Sequence, residues 1–345
     1  MAVHGNKVGK RLKLIGPIFQ SNKPQMNSNL SSLKKFETER DSLLEEILEG
    51  LSKPQKELPS KLFYDQKGSS LFDEICELEE YYPTRTETSI MTENIEDICS
   101  ILGKNCLLIE LGSGSSKKIR LLLSGLLTPA GYVPIDISEE HLISSVNILA
   151  REYPNLKILP VSADYTQPFS LPKFDFIYSK KVVYYPGSTI GNFEPKYASQ
   201  FLNSIGNRMG KGTGLLIGID LKKDKTILED AYNDKKGTTA KFNLNILERL
   251  NSELDTDFNI EQWKHYAFYN SNEGRIEMHL ESLSDQDIRV DGDLIIFSEE
   301  ETILTEYSYK YSIEDFEELI SDSYQLEKVW RDKENKFGIL YFTVK

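Results

Sequence analysis

The residues best placed to do chemistry begin with a turn, Glu110-Leu111-Gly112-Ser113-Gly114-Ser115-Ser116, at the end of the apolar run 106–111. Glycines there let the backbone approach a ligand closely, and a helix starting behind them offers unpaired N–H groups. Asp136 lies 24 residues after Gly112, at the end of a second apolar run. A carboxylate in that place can accept from both hydroxyls of a ribose. Asp164, in Ser162-Ala163-Asp164-Tyr165 beyond a third run, is placed to touch an adenine amino group, though taken alone it reads first as a turn residue. A dinucleotide site needs G-x-G-x-x-G; counted from Gly112, the third glycine position holds Lys117, so no pyrophosphate fingerprint is completed. E-x-G-x-G with a downstream acid fits S-adenosylmethionine, whose ribose and amino-acid tail carry no phosphate. A structural turn would also explain the glycine pair by itself.

These residues need elements to hold them. Leu43, Leu44, Ile47, Leu48 and Leu51 recur at helical spacing and predict a helix within 36–60, ended by Lys53-Pro54. Gly68-Ser69-Ser70 reads as a loop opening a second helix over 70–78. From residue 105 the rhythm becomes strand and helix in alternation: strands 106–111, 132–137 and 156–161, with helices 116–127 and 139–152. A fourth strand starts at 174–178, with a continuation through Val182-Val183-Tyr184. Helix 196–209 and strand 213–221 follow. Buried strands alternating with helices predict a parallel, doubly wound sheet. Residues 222–300 break that pattern, with helices 226–232 and 242–254 and β-like runs 266–269, 275–283 and 294–297. The block is too long for a crossover. Helix 312–322 and strands 324–330 and 337–344 close the chain as an antiparallel hairpin. The fold class read from this is α/β; by analogy, a hairpin edge on such a sheet resembles the class I methyltransferase fold (Rossmann-like, mostly parallel sheet with an antiparallel C-terminal hairpin), here expected to carry an inserted α+β substrate-binding domain. The expected division is a partly disordered tail at 1–35, a substrate-binding domain at 36–86 and 222–309, and a cofactor-binding domain at 87–221 and 310–345.

Composition narrows the function classes. The chain has 345 residues, 39% hydrophobic and 28% charged, which suits a globular protein with a sizeable core. A net charge of −13 repels phosphate backbones and argues against a nucleic-acid partner. The basic stretch at 7–13 reads as a solvated tail. Cys76, Cys99 and Cys106 are odd in number and lack ligand spacing, and His4, His141, His265 and His279 are scattered, so no metal site and no disulfide framework are expected. No apolar run approaches the roughly 18–20 residues of a membrane span, and no signal-peptide pattern opens the chain. The expectation is a cytoplasmic monomer with no membrane partner.

Several longer motifs remain. Phe63-Tyr64-Asp65, Gly68-Ser69, Leu71-Phe72 and Glu80-Tyr81-Tyr82-Pro83-Thr84-Arg85 resemble the N-terminal signature of the L-histidine Nα-methyltransferases of ergothioneine biosynthesis. So do Glu110-Leu-Gly-Ser-Gly-Ser-Ser-Lys-Lys, Gly187-Ser-Thr-Ile-Gly-Asn192, Arg275-Ile-Glu-Met278 and Leu304-Thr-Glu306-Tyr-Ser308. The resemblance runs from about residue 60 to the C-terminus. It implies three successive methyl transfers from S-adenosylmethionine to the α-nitrogen of histidine, giving the trimethylated betaine hercynine. It also implies roles. Gly112, Lys118, Asp136 and Asp164 would surround the cofactor. Tyr64, Gly187, Asn192 and Tyr232 would hold the ammonium and carboxylate ends, with Tyr64 and Gly187 at the reacting nitrogen. Tyr81, Glu306 and Ser308 would contact the imidazole, with Met278 packed nearby.

The residue types suit those tasks on their own terms. Asn192 and Tyr232 can donate to a carboxylate, Glu306 can accept from a ring N–H, and the Gly187 carbonyl can face an amine. Bland readings stand beside them: with 18 tyrosines any one is ordinarily core or rim, Met278 alternates with Ile276 as a strand core residue, and Gly191-Asn192 is a plain turn. Three rivals to histidine methylation are an indole amino-acid Nα-methyltransferase, for example for a prenylated tryptophan, a non-catalytic S-adenosylmethionine-binding module, and a nicotinamide-dependent oxidoreductase.

Overall fold

The computed structural model describes residues 29–36, 40–114 and 117–345. The basic stretch at 7–13, most of the expected tail, the first residues of the first expected helix and Ser116 lie outside them. The strands in chain order are β1 (Lys34–Lys35), β2 (Lys56–Glu57), β3 (Leu107–Leu111), β4 (Gly131–Asp136), β5 (Val161–Ser162), β6 (Lys181–Tyr185), β7 (Gly214–Asp220), β8 (Trp263–Asn270), β9 (Arg275–Ser282), β10 (Gln286–Val290), β11 (Asp293–Phe297), β12 (Thr302–Tyr309), β13 (Tyr324–Arg331) and β14 (Phe337–Val344). The helices are α1 (Arg40–Ser52), α2 (Gln66–Ile75), α3 (Tyr82–Glu93), α4 (Ile95–Leu102), α5 (Lys117–Gly125), α6 (Glu139–Glu152), α7 (Pro195–Met209), α8 (Lys225–Asp230), α9 (Thr238–Glu253) and α10 (Ile313–Ile320).

The main sheet runs β1-β5-β4-β3-β6-β7-β14-β13. Neighbours from β1 to β7 are parallel, and β14 is antiparallel to both β7 and β13. This is the class I methyltransferase fold. Its central strands are buried on both faces: every residue of β3, β4 and β7 is buried, as continuous apolar runs require. Separate apolar cores cover the two faces. A second sheet, β2-β12-β9-β8, packs with α1, α2, α8 and α9 around a third core that includes Phe63, Phe242, Trp263 and Phe297.

Several elements differ from the sequence reading. The first helix ends at Ser52, where Lys53-Pro54 is expected to stop it, so residues 53–59 of the wider span 36–60 are not helix, and 56–57 pair with β12. The second starts at Gln66, since the Asp65 side chain caps it by accepting from Gly68 N at 2.6 Å; Gly68-Ser69-Ser70 is helix, not loop. Residues 174–178 form no strand. Of their alternating aromatics, Phe174 meets Phe176 at a tilt and Tyr178 edge to face, each with ring centroids 5.7 Å apart, without a ladder partner, and the fourth strand is β6. The third strand shrinks to Val161–Ser162, leaving Ile158 with isolated bridges to Leu30 and Tyr132. Pro160 between them has no N–H to give a ladder. Lys34–Lys35, expected in the tail, form the outermost strand of the main sheet.

Candidate functional site

The C-terminal ends of β3, β4 and β5 carry the first group of side chains. Gly112 and Gly114 have φ of +70° and +46°, which only glycine adopts without strain. Asp136 ties this turn to the next strand: Oδ2 accepts from Gly114 N and Oδ1 from Ser138 N, each at 2.9 Å. Burial raises its carboxyl pKa, and the two backbone donors work against that. One strand further out, Asp164 Oδ1 accepts from Thr166 N at 3.0 Å. Its Oδ2 is buried with no hydrogen-bond partner, and Lys61 Nζ is 3.6 Å away. The Ser113 hydroxyl is likewise buried and unpartnered. A buried carboxylate oxygen and a buried hydroxyl, neither with a hydrogen-bond partner, at the strand ends that carry a positive-φ turn suit an adenosine bearing hydroxyl and amino donors, with an amino-acid tail beyond.

The glycine turn meets the end of β6 through Glu87. This carboxylate from α3 is fully inaccessible. It accepts from Gly187 N at 3.1 and 3.0 Å and pairs with Lys118 Nζ. Gly187, at φ +76°, is thereby held against the side chain that flanks the glycine turn. Gly112, Lys118 and Gly187 line a single cleft of about 460 Å³, walled on its other side by Phe72, Cys76, Tyr81 and Arg85. Arg85 fixes that wall by donating to Leu78 O at 2.8 Å and Tyr81 O at 3.2 Å.

A narrower cavity adjoins it. Tyr64, Tyr81, Gly187, Asn192, Tyr232, Glu306 and Ser308 all line it, so seven of the eight expected amino-acid contacts converge. Tyr64 and Asn192 also line a third cleft, which contains Asp164. Met278 does not join them: it stands opposite Glu306 in the β9–β12 register, 2% exposed, in the third core. The bulge at Thr305 explains how a strand presents Glu306 here. It inserts one residue between the Leu304–His279 and Glu306–Met278 pairs, and the Thr305 hydroxyl turns away to Asn243 Oδ1 at 2.7 Å. Such bulges re-aim the side chain that follows.

Glu306 Oε2 accepts from Asn192 Nδ2 at 2.9 Å. Asn192 reaches it from a 3₁₀ turn, Thr189–Asn192, laid so close on β12 that a Cβ at Gly191 would sit 2.8 Å from Tyr309 O. Burial raises the Glu306 pKa to about 7, against the opposing pull of Lys310 and Asn192. Burial, reinforced by Glu306, also lifts the Tyr64 and Tyr81 phenols well above their usual range, so both stay protonated. Tyr232 lines the cavity, yet its hydroxyl is engaged: it bonds Ser308 Oγ at 2.7 Å and accepts from Lys310 at 3.3 Å.

Sequence reasoning passed over several residues here. Phe72 and Phe242 complete the aromatic wall, with Tyr64 edge-on to both at 5.9 and 6.0 Å. Lys310 and Asp220 form a buried ion pair at 2.9 Å, each about 1% exposed at the side chain. Lys223 bonds the same carboxylate at 2.5 Å, and Tyr82 donates to it at 2.7 Å. The signal for Lys310 was available: Glu306, Ser308 and Lys310 recur with period two, which places them on one side of an extended chain. An acid closing the apolar strand Gly-Leu-Leu-Ile-Gly-Ile-Asp220 was another. Among the described residues, no group of three potential metal ligands converges, and no helix is long and apolar enough to cross a membrane.

Comparison with known proteins agrees with this geometry. A family model described as histidine-specific methyltransferase, SAM-dependent, matches residues 43–344. A histidine N-alpha-methyltransferase of Mycolicibacterium smegmatis is 36% identical over 320 residues, covering 91% of this chain and 98% of its own. A histidine N-alpha-methyltransferase of Mycobacterium tuberculosis is 37% identical over 305 residues, covering 86% and 94%. An L-tryptophan methyltransferase of Psilocybe serbica is 26% identical over 334 residues, covering 85% and 90%. A family model spanning nearly the whole fold, with the sheet ends and aromatic cavity that such chemistry needs, settles the assignment: this chain belongs to the histidine-specific, S-adenosylmethionine-dependent methyltransferases, a family of amino-acid N-methylating enzymes.

Proposed function

We propose that the enzyme methylates the α-nitrogen of L-histidine three times in succession, giving hercynine, the first step of ergothioneine biosynthesis. The observation that carries this reading is Glu306: a buried carboxyl, poised near neutrality, in an aromatic cavity beside the Gly187 turn. A buried acceptor suits a ring N–H and rejects apolar rings, since an unpaired polar group in such a place is costly. In this arrangement Glu306 and Ser308 meet the imidazole, with Tyr81 against its face. The remaining amide N–H of Asn192 is free for the carboxylate. Behind it Lys310 and Lys223 outnumber Asp220 by one positive charge. Asp136 takes the ribose, Asp164 Oδ2 accepts from the adenine amino group, and Gly112 and Lys118 flank the amino-acid tail.

When bound, S-adenosylmethionine supplies an activated methyl group, so no nucleophilic side chain is required. The chain's task is placement, bringing the amine to within about 3–3.5 Å of the methyl carbon and in line with it. The Gly187 carbonyl and the Tyr64 oxygen are the acceptors that orient the ammonium before its proton leaves to water. Tyr64, held as a neutral phenol, acts by orientation and not as a phenolate base. The faces of Tyr64, Phe72, Tyr81 and Phe242 can stabilise the ammonium as it loses N–H bonds to methyl groups. The test is mass spectrometry of purified enzyme with S-adenosylmethionine and histidine, tryptophan, 4-dimethylallyltryptophan or tyrosine. One, two and then three methyl groups should appear on histidine. Preferential methylation of an indole substrate refutes the assignment.

A further inference from the structure

Resting on the histidine reading, the geometry points to Lys310 as a specificity-determining residue: it fixes the direction of the hydrogen bonds around Ser308, so that Ser308 must donate to the ring and the site selects a neutral imidazole with one bare nitrogen.

Counting protons around Lys310 fixes this direction. Lys310 is 2% exposed and has three N–H bonds and no acceptor. Asp220 Oδ2 lies at 2.9 Å, Ser308 Oγ at 2.7 Å and Tyr232 Oη at 3.3 Å, which uses all three. Both hydroxyl oxygens therefore accept from Lys310. They also lie 2.7 Å from each other, so one must donate to the other. The phenol is the more acidic and makes the stronger donor. Ser308 Oγ then accepts twice, from Tyr232 and Lys310, and its own proton is left over. Ser308 is buried apart from its place in the cavity wall, so that proton points at the substrate. Glu306, two residues away on the same strand, accepts. One donor beside one acceptor matches a neutral imidazole, which has one N–H and one bare nitrogen. An imidazolium has no acceptor for Ser308, and neither does an indole, whose nitrogen can only donate.

Lys310→Met keeps the side chain's length and leaves Asp220 paired with Lys223 and Tyr82. We would measure kcat/KM for L-histidine and for L-β-(2-thienyl)alanine, whose five-membered ring has no nitrogen. Ser308→Ala should cut the histidine-to-thienylalanine ratio about tenfold, the worth of one hydrogen bond in a buried site. Lys310→Met should cut it comparably, and the double variant should cut it no further. An unchanged ratio, with both substrates slowed alike, or effects that multiply in the double variant, would overturn the role given to Lys310. A second test needs no variant: nitrogen NMR of ring-labelled histidine bound to the wild-type enzyme with S-adenosylhomocysteine should show one protonated and one bare ring nitrogen. Two protonated nitrogens refute the inference. If wild-type enzyme does not take histidine at all, the substrate assignment fails first and this inference falls with it.

Discussion

Gly218 offers a test of how the reacting end of the site is held. It lies in β7, opposite Ile339. A methyl group there would press on Glu87 Oε1 far inside contact distance, and would stand 3.0 Å from two ring carbons of Phe337. An ordinary carbon–oxygen contact needs about 3.3–3.6 Å, so in Gly218→Ala the Glu87 carboxylate has to withdraw by about 1 Å. That carboxylate holds Gly187 N at 3.0–3.1 Å, and the withdrawal takes this bond out of hydrogen-bonding range. Losing a charge-assisted bond to a buried carboxylate costs about 1.5–3 kcal/mol, and overpacking β7 adds about 1–3 kcal/mol. The sum is about 2.5–6 kcal/mol of folding stability.

The effect on catalysis follows from the same displacement. Gly187 is the turn proposed to face the reacting amine, and a shift of about 1 Å there should lower kcat by about 100-fold. Urea unfolding and steady-state kinetics on histidine measure the two effects separately. Adding Glu87→Ala to Gly218→Ala removes the oxygen the methyl collides with. In that background the methyl should cost less than about 1 kcal/mol, the residue left by Phe337. A Gly218→Ala enzyme with unfolding free energy within about 0.5 kcal/mol of wild type, or with kcat unchanged, would refute the idea that Glu87 anchors the turn.

Other outcomes follow from the same site. Burial raises Glu306 to about 7 and Glu110 to about 8, from 4.5. The folded protein thus holds these protons more tightly than the unfolded chain. Their contribution to stability is fully present below pH 4.5, is lost as pH rises through 7 and 8, and is flat above. For Glu306 it amounts to about 3 kcal/mol, and Glu306→Gln should remove that share of the slope, leaving the Glu110 share, from urea midpoints measured between pH 5 and pH 8; an undiminished slope excludes a raised Glu306. Asp164→Asn puts an amide N–H where the unpaired Oδ2 stands, and should weaken S-adenosylhomocysteine binding about 10- to 100-fold by calorimetry; unaltered affinity would remove Asp164 from the adenine site. Tyr82→Phe takes one donor from Asp220 and leaves both lysines, so it should cost about 1–2 kcal/mol. Asp220→Asn strands Lys310 and should cost about 3–5 kcal/mol. Equal thermal shifts in the two variants would contradict this ranking.

What could be read in the chain beforehand was set by the range of the interactions involved. The glycine turn and Asp136 are local to strand ends, and the alternation of β3, α5, β4 and α6 exposes both in a linear reading. The convergence of Tyr64, Tyr81, Asn192, Tyr232, Glu306 and Ser308 was legible only through motif resemblance, because these residues come from five separate segments. What was missed is non-local. Glu87 has the look of a surface acid on a helix until Gly187 and Lys118 fold over it. Asp220 and Lys310 are 90 residues apart and acquire meaning only as a pair. Period-two aromatics at 174–178 mimic a strand because tilted and edge-to-face packing of their rings rewards the same alternation that a ladder does.

That distant pair also bears on why the cavity has a fixed width. Asp220 closes β7 of the main sheet, and Lys310 follows β12 of the second; a single parallel bridge, Leu221 to Tyr311, joins the sheets just beyond them. Two charges removed from water repay their desolvation only when every remaining valence is met. Here Asp220 also takes Tyr82 and Lys223, its own N–H goes to Ser188 Oγ at 2.8 Å, and Lys310 spends its other protons on Ser308 and Tyr232. Sliding one sheet against the other would leave several of these groups unpaired at once, so the seam resists small displacements far more than an apolar contact of equal area would. Glu306 on one side and the Gly187 turn on the other are thereby kept at a constant separation, which the proposed succession of transfers to one nitrogen requires.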